Sequence, residues 1–161
     1  MACFDKAVDF FIKNEGGYSN NPNDPGGETK YGIAKRYHPN IDIKNLSIDG
    51  AKKILYDDYW LPHRYKELIN NDLATRVFDF AGNSGYSDSA KTLQTAIVSM
   101  GIALVVDGVM GSKTIAAANR LYEKLLIANF KIERCKWYQK QVEKYPKKIE
   151  NLSGWIKRAC L

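Results

Sequence analysis

Cysteine is scarce in this 161-residue chain, with only Cys3, Cys135 and Cys160. An odd number without zinc-ligand spacing excludes a disulfide framework and a zinc module as organising features, and reduced thiols are the default. Long apolar runs are missing too, since none reaches the roughly 18 residues of a membrane span. The opening Met1-Ala2-Cys3-Phe4-Asp5 has neither the basic nor the uninterrupted apolar region of a signal peptide, so synthesis in the cytoplasm without a Sec route is expected. Low-complexity tracts, long repeats and a Ser/Gly linker are absent. One compact, monomeric unit with two lobes, residues 1–88 and 89–161, is therefore expected. The chain carries 24 Lys and Arg against 18 Asp and Glu, a net charge of +6. No helix-turn-helix, zinc or RNA-recognition signature accompanies that charge, which argues against nucleic acid as the partner.

What is present begins with a helix. Phe4, Val8, Phe11 and Ile12 recur at helical spacing and predict an amphipathic α-helix from about Phe4 to Asn14, stopped by Gly16-Gly17. Glu15 then falls in the last turn, where the negative end of the helix dipole and partial burial are expected to raise its pKa. That is a favourable place for a general acid, which must hold its proton near neutral pH, although a carboxylate before Gly-Gly is by default a solvated helix end.

The next segment, Asn20-Asn21-Pro22-Asn23-Asp24-Pro25-Gly26-Gly27, is dense in turn formers, so the chain must reverse before Thr29-Lys30-Tyr31-Gly32-Ile33 in a short hairpin or ordered loop. Its clustered oxygen side chains fail the EF-hand spacing and are interrupted by two prolines, so no metal is expected. Glycoside hydrolysis needs a protonated carboxyl at the leaving oxygen and a second group that stabilises the oxocarbenium ion or activates water. Glu15 and Asp24 fit those roles, with the Thr29 hydroxyl as a holder of water and the glycines admitting backbone amides close to a sugar. No cofactor is called for.

The pattern E-G-G-Y-x5-D-x-G-G-x-T-x-x-G-I, running from Glu15 to Ile33, resembles the signature of glycoside hydrolase family 108, N-acetylmuramidases of bacterial and phage genomes. It is also similar to the Glu-x8-Asp-x5-Thr triad of phage lysozymes, with four residues rather than five between Asp24 and Thr29. The resemblance implies catalysis by Glu15, Asp24 and Thr29, and Tyr18, Gly27 and Tyr31 become candidates for sugar contact. If the reaction inverts, the Glu15 and Asp24 carboxyls should stand roughly 6.5–9.5 Å apart, and this wider spacing is the expected one.

Later segments extend the likeness. Ile48, Ala51, Ile54 and Leu55 make an amphipathic stretch that Ser47 can N-cap, leading to Tyr59 and Trp60, which are candidates for stacking on sugars and equally for the core. Val77 to Gly85 resembles the family's Asp-x3-Asn-x-Gly pattern, with Asn83 a candidate for an acetamido group or for capping the next helix. Leu93-Gln94-x6-Gly101-x5-Asp107-Gly108-x2-Gly111-x2-Thr114 is similar to the core of peptidoglycan-binding modules, and its glycines make it first a signature of tight turns. Ile102 to Val106 reads as an extended connector. Ser112 is an expected N-cap for a helical pattern running toward Tyr145, with a break near Asn129 and a stop at Pro146.

These readings converge on a mainly α, lysozyme-like α+β fold, a helical bundle with a small β-hairpin or irregular loop at the active site. The implied activity is cleavage of the β-1,4 bond between N-acetylmuramic acid and N-acetylglucosamine, with peptidoglycan as substrate. A lytic transglycosylase using Glu15 alone, or a non-catalytic wall-binding or secretion-helper protein, are the alternatives. A wall enzyme without an export signal implies an endolysin released through a holin or a related route. The basic residues Lys131, Arg134, Lys136, Lys140, Lys144, Lys147, Lys148, Lys157 and Arg158 suit anionic envelope polymers, beside the plainer reading of a solvated face.

Overall fold

The apolar stripe of the first helix is realised in α1 (Phe4–Asn14), which buries Ala7, Val8 and Phe11. The computed structural model describes residues 1–15, 17–20 and 27–161. Glu15 is extended (φ −80°, ψ 139°), and its N–H closes the last turn on the Phe11 carbonyl, so it lies just past the helix rather than inside its last turn.

The predicted reversal is an antiparallel hairpin, β1 (Thr29–Lys30) with β2 (Ile33–Ala34), pairing Thr29 with Ala34 and Lys30 with Ile33. Its two loop residues, Tyr31 (φ 53°) and Gly32 (φ 79°), both have positive φ, the requirement of the tight turn whose twist matches the strands. Ser19 adds a third short segment by exchanging two 2.8 Å backbone hydrogen bonds with Thr29.

Ser47 caps α2 (Ile48–Ile54) as expected, its Oγ accepting from the Gly50 N–H at 3.0 Å. The chain continues into a π-helical turn, Leu55–Trp60, that swings Trp60 inward until 1% of it is exposed. This corrects its candidacy for sugar stacking: the indole packs against Phe4, Tyr65 and Phe78 at ring separations of 5.3–5.5 Å.

Asn70 caps α3 (Asn71–Ser84), which is buried at every position from Leu73 to Phe80 and is the central helix of the fold. It packs against α1, α4 (Tyr86–Ser99) and α6 (Glu123–Lys144), while α6 also contacts α4 and α7 (Ile149–Cys160). Two aromatic clusters flank α3. Phe78 faces Phe4, Phe11, Trp60 and Tyr65, and Phe80 meets Phe130, Trp137 and Tyr138 on the other side. With α5 (Ser112–Arg120), seven α-helices and one two-stranded sheet are found among the described residues, a mainly α fold. No described helix is long and apolar enough to cross a membrane.

Two helix boundaries differ from expectation. Gly111, not Ser112, precedes α5, and the break falls at Leu121 and Tyr122, both extended, while α6 runs unbroken through Asn129. Asn119 explains the early stop. Its amide bonds the Ile69 N–H at 2.8 Å and the Glu67 carbonyl at 2.9 Å, tying the end of α5 to the connector before α3. Asn129 satisfies itself locally by donating to the Leu125 carbonyl.

The Gln94–Thr114 pattern is an internal fastening. The two N–H groups of buried Gln94 Nε2 are shared among Asp107 Oδ1 (2.7 Å), the Val109 carbonyl (3.0 Å) and Thr114 Oγ1 (3.1 Å), and its Oε1 accepts from the Gly108 N–H (2.9 Å). The Gln94 hydrogen bond, with one from the Val109 N–H, holds the Asp107 carboxyl below its ordinary range. Ile102 to Val106 runs through this fastening as an irregular connector.

The Phe11 ring is held between two glycines. A Cβ at Gly32 would lie 2.6 Å from Phe11 Cε1, and one at Gly82 would collide with the opposite edge of the same ring. Blocked on both sides, the ring cannot yield. Gly82→Ala is therefore expected to destabilise the fold, because overpacking costs about 1–3 kcal/mol against up to ~1 kcal/mol gained in helix propensity. Thermal denaturation checks this, and a raised Tm would show that the ring has room to move.

Candidate active site

Glu15 lies beneath the hairpin, one helical turn after Phe11. Gly32 sits directly over it, a Cβ there being 3.3 Å from Glu15 Cγ, so the glycine is what lets the turn approach the carboxylate. The Glu15 side chain retains 21% of its exposure, and from the other side it meets Arg158, whose Nη1 lies 2.7 Å from Oε1. The contact is an ion pair with poor hydrogen-bond alignment, and Oε1 itself is closed to solvent.

Arg158 belongs to a longer chain of charges. Its Nε donates to both Asp79 carboxylate oxygens at 3.1 Å and its Nη2 to Oδ1 at 2.7 Å. Arg134 Nη2 stands 3.0 Å from the other side of Asp79, at Oδ2. Asp79 has no exposed surface and Arg134 only 2%. The order Glu15, Arg158, Asp79, Arg134 alternates in sign and links the ends of α1 and α7 to the middles of α3 and α6. Burial pulls the Arg158 pKa down, but hydrogen bonds and charge from Asp79, followed by Glu15, more than reverse this and leave it raised. Tyr138 and Asn83 complete the inner end: Arg134 Nε donates to the Tyr138 hydroxyl at 3.0 Å, and that hydroxyl donates to Asn83 Oδ1 at 3.0 Å.

Thr29 stands on β1 with its hydroxyl donating to the Gly27 carbonyl at 3.2 Å. Gly27 takes a left-handed φ of 68°, and nothing lies within 4 Å of where its Cβ would be, so the backbone is open to approach there. Tyr18 is exposed and donates to Glu28 Oε1 at 2.8 Å, the bond that raises its phenol pKa. Tyr31 is half-buried in the turn. Tyr59 is half-buried beside His38, whose Nε2 is 3.0 Å from its hydroxyl, and burial raises its pKa. Asp24, and with it the expected carboxyl separation, lies outside the described residues. Asn83 is corrected as a helix cap, since Gly85 precedes α4; its Oδ1 accepts from Tyr138 and from Arg134 (3.3 Å).

The structure adds Asp79, Arg134 and Arg158, whose surroundings sequence reasoning missed. Two of the nine basic residues assigned to a cationic surface are thus internal. The signal was available: Leu126, Phe130, Arg134 and Tyr138 form one buried stripe at four-residue spacing, with the arginine in the middle of it. Asp79 likewise interrupts the apolar run Val77 to Ala81. Two surface concavities, one between the α4–α5 connector and α5 and one beside the start of α3, include none of the candidate residues.

Residues 8–85 match the family described as glycosyl hydrolase 108, and residues 88–160 match the predicted peptidoglycan domain. No curated protein matches the chain. Among solved structures, that of Brucella abortus SagA is similar with a TM-score of 0.73 and 27% identity, covering 98% of this chain and 93% of its own.

Removing one partner from a buried ion pair strands the other charge and costs about 3–5 kcal/mol. Arg134→Met leaves Asp79 still paired with Arg158 and should therefore lower unfolding stability by only part of that amount, about 1–3 kcal/mol, in urea titration. A loss below ~1 kcal/mol would mean that one arginine suffices for Asp79.

Proposed function

We propose that this member of the glycosyl hydrolase 108 family, with a predicted peptidoglycan domain in its second half, is a peptidoglycan hydrolase that uses Glu15 as general acid. The bond cleaved in this reading is the β-1,4 linkage between N-acetylmuramic acid and N-acetylglucosamine. The observation that carries it is the placement of Glu15: a partly exposed carboxylate past the end of α1, roofed by a hairpin from its own glycine-rich motif. Glu15 protonates the leaving glycosidic oxygen as the bond to the anomeric carbon breaks. Asp24 stabilises the oxocarbenium ion or deprotonates water, and the Thr29 hydroxyl positions that water. The open backbone at Gly27, with Tyr18, Tyr31 and Tyr59, offers sugar contacts around the same hairpin.

Glu15→Gln should cut lysis of purified peptidoglycan by about 10²-fold or more, the usual contribution of a positioned proton donor. A folded mutant within a few-fold of wild type would refute the assignment. Mass spectrometry of the products separates the chemistries, because hydrolysis leaves reducing muramic acid ends whereas a transglycosylase leaves anhydro ends. Predominantly anhydro products would replace the muramidase reading.

Wall attraction in this reading comes from the surface at the end of α6, where Lys144 and Lys148 lie 5.1 and 4.7 Å from the ring centre of exposed Tyr145. Exposed charges are screened within about 8 Å at physiological ionic strength. Changing Lys140, Lys144, Lys147 and Lys148 to Gln should weaken pelleting with sacculi and flatten its salt dependence, while turnover of short soluble glycans is kept. Equal losses on both substrates would place these lysines in the fold or cleft instead.

A further inference from the structure

We infer that Arg158 is a positioning residue for Glu15: it holds Oε1 and so fixes Oε2 as the oxygen that carries the transferred proton. This rests on Glu15 being the acid. The argument begins with the unequal settings within one carboxyl group. Oε1 is closed to solvent against the guanidinium, although the side chain as a whole is 21% exposed, so a proton bound for a sugar oxygen cannot reside on Oε1. A carbonyl-type Oε1 can stay on Arg158 whether or not Oε2 bears its proton, so the carboxyl keeps one orientation before and after transfer.

That orientation is only as fixed as Arg158, which is anchored on several sides. Asp79 takes its Nε and Nη2, the Asn14 carbonyl lies 3.5 Å from Nη1, and the guanidinium carbon sits 5.8 Å from the centre of the Phe11 ring. Asp79 is in turn fixed by Arg134. The planar fork of arginine can donate to Asp79 through Nε and Nη2 while holding the charge of Nη1 2.7 Å from Glu15 Oε1, which a lysine ammonium cannot match. Among the described residues, the charged and titratable groups on this side of the carboxyl are Arg158 from α7, then Asp79 from α3, then Arg134 and Tyr138 from α6, while Asp24 lies outside the described residues. On the hairpin side its neighbour is Gly32.

Arg158→Lys and Arg158→Met, with Glu15→Gln in parallel, test the inference through kcat and KM on a soluble muropeptide oligomer, folding being checked by circular dichroism. Arg158→Lys keeps the charge and loses the fork, so kcat should fall about 10–10²-fold with KM nearly unchanged, the scale of a small misplacement of a catalytic group. Arg158→Met loses the anchor altogether, so its kcat should fall at least as far. Near-wild-type kcat in folded Arg158→Lys, with Glu15→Gln inactive, overturns the positioning role alone. Full activity in Glu15→Gln overturns it together with the acid assignment. If Arg158→Met fails to fold, Arg158→Lys decides the question through kcat against KM.

Discussion

A carboxylate without exposed surface is stable only where opposite charge replaces its lost hydration. Asp79 is such a group, and much of the architecture follows from satisfying it. One arginine comes from α6 and another from α7, which fixes how those helices approach the middle of α3. The aromatic clusters on either side, around Phe78 and Phe80, wall the pair off from water and add a cation–π contact between Arg134 and Phe80 at 5.0 Å. Replacing such a group by a hydrophobe is often neutral for stability elsewhere. Its value here lies in direction, since a paired guanidinium points where an apolar side chain would only fill space.

The outer end of the same network meets a different constraint, steric rather than ionic. Phe11 fills the gap between Gly32 and Gly82, and Glu15 follows it by one turn, so the hairpin rests on the ring and on the acid's own methylene. The candidate acid is therefore bounded by backbone above and by charge behind. The positive φ at Tyr31 and Gly32 is what turns the hairpin tightly enough to sit there.

Local features were legible in the sequence. The stripe of Phe4, Val8 and Phe11 marked α1 to the residue, Ser47 announced its cap, and the turn formers foretold the reversal around Thr29. Trp60 was ambiguous because an aromatic after an apolar stripe serves core and cleft equally well, and only the π-helical turn decides which way it faces. Arg134 and Arg158 were read as surface because the partner that justifies burying them is far away in sequence, and charge counts assume solvation. The early break at Leu121 was hidden for the same reason, since it depends on Asn119 reaching Glu67 and Ile69.

The contact between Arg158 and the end of α1 spans 144 residues. At ribosomal speeds of about 5–20 residues per second, α1 emerges roughly 7–30 s before its ionic partner has been made. During that interval Glu15 has no guanidinium behind it, and until Arg134 is made the Asp79 carboxylate must remain hydrated or leave α3 incompletely docked. The ionic setting of the site thus matures only once α7 has been made, and a fragment limited to α1–α3 would contain Glu15 and Asp79 without the arginines that organise them.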